Sequence, residues 1–287
     1  MFTGKGGVGK TTCAAASALY HASRGEPTLA ISTDATPSLS HIFETEENNT
    51  LQSLSVREIG ESEIRQMWDE KFGREVYEVF SALVDIGYED FVEFMTSVLP
   101  GLGEEFMVDY IRQQAQEGVH QNIVWDTAPL GQTLSLLATP ALLGDHLKMA
   151  PRIYSKLKLG KSSRKPVLDI LKRWELLSVE NMDFLRHEVD FTIVTIPEAL
   201  AVAQLEGVFQ ELGKYGLSVK RIIVNNVVKE PDSKFLRTKA EQQQDYLKHI
   251  RENYSDLEIT ELPMFPQEVK GTQKLAEVHK ILFQGGQ

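Results

Sequence analysis

The chain has 287 residues, a net charge of −11 and one cysteine. That length buries a full core, as one large α/β domain or a domain carrying an insertion. The acidic balance excludes general nucleic-acid binding and broad adhesion to anionic lipid, leaving only a local basic patch able to do either. Cys13 alone forms no internal disulfide and fits a reducing compartment. No run reaches the roughly 18 apolar residues of a spanning helix, and a glycine-rich loop from Gly4 leaves no room for a leader peptide, so a cytoplasmic location is expected.

A first strand is predicted at Met1–Thr3. It is either minimal, or the natural chain begins further upstream. Gly4-Lys5-Gly6-Gly7-Val8-Gly9-Lys10-Thr11-Thr12 follows at once and fits G-x-x-x-x-G-K-[ST]. In such a loop backbone N–H groups cradle phosphates, Lys10 reaches the β/γ-phosphates, and the Thr11 hydroxyl holds Mg²⁺. The Ala-rich run Thr12–Tyr20 makes the loop the start of a helix, whose dipole favours a bound anion. A glycine-rich turn matching by chance is the plain alternative. Lys5 is an extra cation that two glycines keep from folding back onto its own phosphates. It is placed either to reach phosphates presented by a second copy, as an arginine finger does in trans, or to sit solvated on the surface.

The second strand, Thr28–Thr33, ends in Ser32-Thr33-Asp34. Asp34 there points toward the γ-phosphate region and can orient the attacking water; capping of the next turn is its alternative role. A third strand is expected at Leu54–Ile59. Residues 61–117 then show helical spacing without strand signal, including the apolar cluster Phe91, Phe94, Met95, Val98, Leu99, Leu102, Phe106 and Met107. That cluster is either a buried helix pair or a groove for an apolar client.

Strand four, Asn122–Thr127, runs into Asp126-Thr127-Ala128-Pro129-Leu130-Gly131-Gln132-Thr133. Asp126 matches the acid that holds Mg²⁺, directly or through water, opposite Thr11, and Pro129 and Gly131 suit a segment that moves with nucleotide state. Residues 141–187 form the second strand-free stretch. Nine Lys/Arg and a single acid, Asp169, lie between Lys148 and Arg173, and Lys161-Ser162-Ser163-Arg164-Lys165-Pro166 is expected to be a mobile loop. That basic stretch is either a solvated surface or a contact for charged client flanks or anionic lipid. Strands follow at Asp190–Ile196 and Val219–Val228, with a further candidate at Leu257–Leu262. Continuous apolar runs alternating with helices predict an α/β fold: a doubly wound, mainly parallel sheet of the P-loop type with an inserted α-helical subdomain. Residues 1–60, 118–140 and 188–287 would form the ATPase core, and 61–117 and 141–187 the helical subdomain for a client or partner.

The loop with its second lysine resembles the ArsA-like deviant-loop ATPases, which include the arsenite-pump ATPase, the tail-anchored-protein targeting factor, MinD/ParA positioning ATPases and the nitrogenase iron protein. Ser-Thr-Asp after strand two and Asp-Thr-Ala-Pro-x-Gly-x-Thr after strand four are closest to the arsenite-pump and targeting branch. The family's usual His after the Gly is Gln132 here, and its Pro-Ala-His after the Asp is Ala35-Thr36-Pro37. The resemblance continues through Leu99–Glu105 and through Ile196-Pro197-Glu198, near the family's dimer interface. It implies that Asn225 and Pro263, with Glu268–Gly271, read the adenine. It also implies an ATP- and Mg²⁺-dependent homodimer with a hydrophobic-helix or membrane-protein client and a possible membrane receptor, and no nucleic acid. Ser233 and Leu236 occupy the positions of the targeting factors' zinc Cys-x-x-Cys, so no zinc site is expected. One cysteine makes a metalloid pump subunit an unfavoured alternative, and a positioning ATPase of the MinD/ParA type is the other.

Overall fold

A computed structural model describes residues 1–34, 38–44, 52–81, 85–98, 102–128, 131, 138 and 161–284. The chain divides into two compact units: Met1–Glu58, Glu117–Thr133 and Val189–Gln287 form one, and Ile59–Gln116 with Leu134–Glu188 form the other. Leu99-Pro100-Gly101, Pro129, Gln132 and the basic stretch Lys148–Gly160 lie outside the described residues.

The first unit is a sheet domain. Among the described residues seven strands form one sheet: β1 (Phe2–Thr3), β2 (Thr28–Ser32), β3 (Leu54–Glu58), β4 (Asn122–Asp126), β5 (Phe191–Thr195), β6 (Val219–Val227) and β7 (Glu258–Pro263). Their order is β3-β2-β4-β1-β5-β6-β7, and every neighbouring pair is parallel. The seventh strand, foreseen only as a candidate, is therefore a full edge strand. Its pairing with β6 shifts register between Val224 and Val227, where Asn226 takes a left-handed φ of 59°. The continuous apolar runs in β2, β5 and β6 follow from burial on both faces. The chain leaves β1 on one side toward β2 and returns through β4 to β5 on the other. This reversal of direction makes the crevice beside β1 the place where a parallel sheet binds ligands.

Helix α1 (Lys10–Ser23) starts in that crevice. The five alanines of the span, with Cys13, Ser17 and Leu19, are all buried, so the helix is covered nearly all round. Small side chains allow a close approach to the sheet. Leu275, Val278 and Leu282 of the last helix complete the same core with Val124, Val194 and Ile223. A five-residue helix, α2 (Leu39–Phe43), lies between β2 and β3.

The second unit is helical: α3 (Glu61–Trp68), a π-helical turn at Asp69–Gly73, α4 (Arg74–Phe80), α5 (Tyr88–Val98), α6 (Leu102–Glu117) and α7 (Lys161–His187). Trp68, Phe91 and Phe106 are fully buried, and Phe72 stacks on Trp174 with ring centroids 5.5 Å apart. Met95 and Met182 are core residues of this unit, while Phe94 is 47% exposed. Lys161–Pro166, expected as a mobile loop, instead forms the first turns of α7. The apolar stripe Ile170, Trp174, Leu177 and Leu185 anchors the helix, which then propagates back through residues of fair helix propensity. Pro166, near the beginning, costs it one backbone hydrogen bond.

Inside this unit, α6 and α7 share a buried polar network. Asn181 Nδ2 donates to Glu105 Oε1 at 2.9 Å, Arg112 Nε donates to Asn181 Oδ1 at 3.0 Å, and Arg112 pairs with Asp109 at 2.8 Å. Glu105 is fully buried, and its Oε2 has no hydrogen-bond partner among the described residues. Burial pushes its carboxyl up to about 7, with the Asp109 charge adding to the rise; Asn181, Ser178 and Arg112 oppose it. A carboxyl raised in the folded state contributes stability below its ordinary value of 4.5, and that contribution is lost as pH rises through about 7. Glu105→Gln is therefore expected to stabilise the helical unit by on the order of 2 kcal/mol at pH 8 and by almost nothing at pH 5. Chemical denaturation at the two pH values measures this; an equal effect at both would mean that Glu105 does not titrate in this range.

The remaining helices of the sheet domain are α8 (Ala199–Lys214), α9 (Lys234–Asn253) and α10 (Gly271–Gln284). Ser233, at the first of the two positions where the resemblance would place zinc cysteines, is the N-cap of α9. Its hydroxyl accepts from the N–H of Leu236, the second of them, at 3.2 Å. No helix among the described residues is long and apolar enough to cross a membrane.

Candidate active site

Register brings the carboxyl ends of three strands together around one side chain. Asp126, the last residue of β4, is opposite Ser32 of β2 and Phe2 of β1. Its carbonyl accepts from the N–H of Thr33 at 3.1 Å, and the Thr33 hydroxyl accepts from the indole of Trp125 at 3.0 Å. On the other side the Thr127 hydroxyl donates to the carbonyl of Phe2 at 2.8 Å. Three strand ends are thus tied together directly beneath the loop.

Gly4 to Gly9 fill the space above. A Cβ on Gly4 would lie 2.1 Å from the Val194 carbonyl, so only a glycine lets the loop press onto β5. Gly9 caps α1 in a left-handed conformation, φ 96°, and a Cβ there would lie 2.3 Å from the Asn225 amide nitrogen. That amide donates to the Val8 carbonyl at 2.9 Å. The structure thus gives Asn225, which the sequence offered as a base reader, a contact that holds the loop. Val8 is buried, Thr11 and Thr12 are half-buried, and Lys5, Gly6 and Gly7 are exposed.

Lys10 is 7% exposed, and its ammonium donates to the Lys5 carbonyl at 3.2 Å, across the loop to which it belongs. Burial lowers its pKa, while the charges of Asp126 and then Asp34 resist the change. Asp126 is fully buried, and neither of its carboxylate oxygens has a hydrogen-bond partner of ordinary geometry among the described residues. Burial raises it to about 6 and the Asp34 charge adds to the rise. The nearby Thr11 hydroxyl, the Lys10 charge and the Thr127 N–H pull in the other direction. Asp34 itself is half-buried, and its N–H donates to the Ser32 hydroxyl at 3.2 Å. Lys10, Thr11, Asp34 and Asp126 thus interact electrostatically at one end of the sheet. A buried carboxylate with unused acceptors beside a hydroxyl is a donor set suited to Mg²⁺.

A cavity of about 430 Å³ opens beside the loop. It is lined by Thr11 and Thr12, by Asn225 and Asn226 after β6, by Ser38, His41 and Ile42 around α2, and by Phe265 and Gln267–Lys270 after β7. Its size suits a nucleoside. Pro263 ends β7 opposite Val227 and does not line it; Leu262 and Phe265 do. The α2 wall escaped the sequence reading, because a five-residue helix has too short a period to register and Ser38 is its only local signal.

A glycine loop capping a buried helix, at the crevice of a parallel sheet and over a lysine and two carboxylates, defines a P-loop nucleotide hydrolase. Comparison with known proteins is more specific. The family model described as anion-transporting ATPase matches residues 1–284. "Putative arsenical pump-driving ATPase 2" of Aquifex aeolicus is 32% identical, over 98% of this chain and 98% of its own. "ATPase GET3A" of Arabidopsis thaliana is 30% identical over 97% of this chain and 82% of its own, and "ATPase get3" of Schizosaccharomyces japonicus 27% over 97% and 90%. The chain belongs to the anion-transporting, or ArsA, ATPase family, and is an ATP hydrolase of the P-loop class.

The Gly9–Asn225 contact yields a double-variant test. Gly9→Ala must both strain a left-handed position, at about 1–2 kcal/mol, and displace the Asn225 amide. Adding Asn225→Ala removes the clash but not the strain. The double variant is expected to be more stable to urea than Gly9→Ala alone, although Asn225→Ala by itself destabilises by about 1 kcal/mol. Simple additivity of the two losses would show that the loop does not rest on Asn225.

Proposed function

We propose that the protein is a Mg²⁺-dependent ATPase whose nucleotide state controls closure of a homodimer and, with it, an apolar surface of the helical unit that holds a hydrophobic helix such as a tail anchor. The observation that carries the chemistry is Asp126, a fully buried carboxylate beside the Thr11 hydroxyl and the Lys10 ammonium whose oxygens have no hydrogen-bond partner of ordinary geometry among the described residues. Thr11 and Asp126 would hold Mg²⁺, which when bound neutralises charge on the β- and γ-phosphates. Backbone N–H groups of Gly4–Thr12 and the Lys10 ammonium bind and orient the phosphates. Lys10 is charged in a poorly solvated place, where its attraction for a polyanion is stronger than in water. Asp34, at the end of β2, orients the attacking water, and phosphoryl transfer requires little more than such placement and charge balance.

Lys5 is the exposed cation of the loop. That exposure supports a role in contacting the phosphates of a second subunit. For the client, support comes from Leu176 and Val179, three residues apart on α7 and 56% and 51% exposed, and from Phe94 of the same unit. The resemblance to targeting factors adds the nature of the client, a possible membrane receptor and a cytoplasmic place of work. A metalloid role finds less support: Cys13 is the chain's one thiol, is fully buried, and is pushed by burial up to about 12. The positioning-ATPase alternative draws no support from helix α10, which commits Leu275, Val278 and Leu282 to the core around α1.

Asp34→Asn is expected to slow single-turnover ATP hydrolysis at least a hundredfold while ATP still binds; an unimpaired rate rules out its water-orienting role. Lys5→Ala is expected to remain monomeric in light scattering with ADP and aluminium fluoride, under conditions that dimerise the wild type. Dimers of equal stability would leave Lys5 a surface lysine.

A further inference from the structure

Helix α2 supplies one wall of the 430 Å³ cavity, yet none of the steps above uses it. It is fixed at both ends. At its start, the N–H groups of Leu39 and Ser40 donate to Glu58 Oε1 at 3.0 and 3.3 Å, and the Ser40 hydroxyl lies 3.1 Å from Glu58 Oε2, so β3 holds the helix. At its end, Glu44 forms an ion pair with Lys270, 3.3 Å from Oε1 to Nζ. Lys270 belongs to the wall contributed by the segment after β7. The pair therefore ties two walls of the cavity together.

Two backbone features show that this contact is built. Glu44 occupies the left-handed region, φ 53° and ψ 47°, where glycine or asparagine is the unstrained choice. A glutamate there accepts backbone strain that a glycine at the same helix C-cap would avoid. Gly271 also has a left-handed φ, 76°, and a Cβ on it would lie 2.7 Å from Glu44 Oε2. Strain is accepted on one side and a side chain omitted on the other, and both let the carboxylate come close to Lys270.

We propose that the Glu44–Lys270 pair is a strap over the nucleoside cavity that sets how firmly the base and ribose are held, separately from the phosphates. This rests on the cavity being the nucleoside site. With the strap closed, α2 and the 265–270 segment cannot part to release the nucleoside, so Glu44 is a positioning residue that acts through Lys270.

The test is calorimetric binding of two ligands to the full chain: MgATP, and inorganic tripolyphosphate with Mg²⁺, which has phosphates and no nucleoside. Glu44→Gly and Lys270→Gln are each expected to weaken ATP about three- to fivefold, the range of a half-exposed ion pair, and to leave tripolyphosphate unchanged. The charge swap Glu44→Lys with Lys270→Glu is expected to recover at least half of the loss. Glu44→Gly also relieves the left-handed strain, so its melting temperature should not fall, which separates a lost strap from a damaged fold. The strap is overturned if Glu44→Gly binds ATP like the wild type, if both ligands weaken equally, or if the swap is as weak as Lys270→Gln, which would make the lysine a direct contact. A wild type that binds ATP no better than tripolyphosphate fails differently: it removes the nucleoside site itself, and the strap with it.

Discussion

Burial of Asp126 and Lys10 together at the carboxyl edge of a parallel sheet is the constraint on which the rest of the structure depends. Each charge is unfavourable there on its own: desolvation raises the carboxyl and lowers the ammonium. Their mutual attraction offsets only part of that cost, and the Asp34 charge adds repulsion to Asp126. A core built for stability alone would place apolar residues at this point. The cluster is intelligible as a cost accepted for chemistry, since on the proposed function a polyphosphate and cation would complete the charges that the fold leaves unbalanced.

The remaining architecture serves to hold those charges in place. Small residues along α1 let the helix lie against the sheet, so its first turn falls at the crevice where the strand order reverses. The loop is pressed between the Val194 carbonyl below and the Asn225 amide beside it, which excludes any side chain at Gly4 and Gly9. Thr33, Trp125 and Thr127 lock the neighbouring strand ends by hydrogen bonds that touch no ligand position. The helical unit carries its own buried polar network at Glu105.

Much of this was legible in the sequence, for identifiable physical reasons. The phosphate loop is local, so nine consecutive residues define it. The strands announce themselves because two-sided burial leaves continuous apolar runs such as Ile222-Ile223-Val224. Even the weak run at Leu257–Leu262 paired as β7, close to its expected limits. What could not be seen depends on distant partners. The orphaned oxygens of Asp126, the burial of Glu105 and the Glu44–Lys270 pair are all set by segments far apart in the chain. Pro263 does not line the cavity although Leu262 just before it and Phe265 two residues after it do, because the course of the chain after β7 decides which side chains face inward. Lys161–Pro166 was mistaken for a loop because polarity and a proline outweighed the helix that continues into it from Ile170.

Gly4–Thr12 and the Phe265–Gly271 segment are more than two hundred residues apart, and the structure brings Thr11 and Thr12 of the one into a single cavity with Phe265 and Gln267–Lys270 of the other. Hydrogen–deuterium exchange with and without Mg²⁺ and a non-hydrolysable ATP analogue bears on that point without altering a residue. Exchange should slow in both segments together, and in Ser38–Glu44 with them, at the same analogue concentration. Protection confined to the phosphate loop, with the α2 and Phe265–Gly271 walls unchanged, would contradict a single shared site.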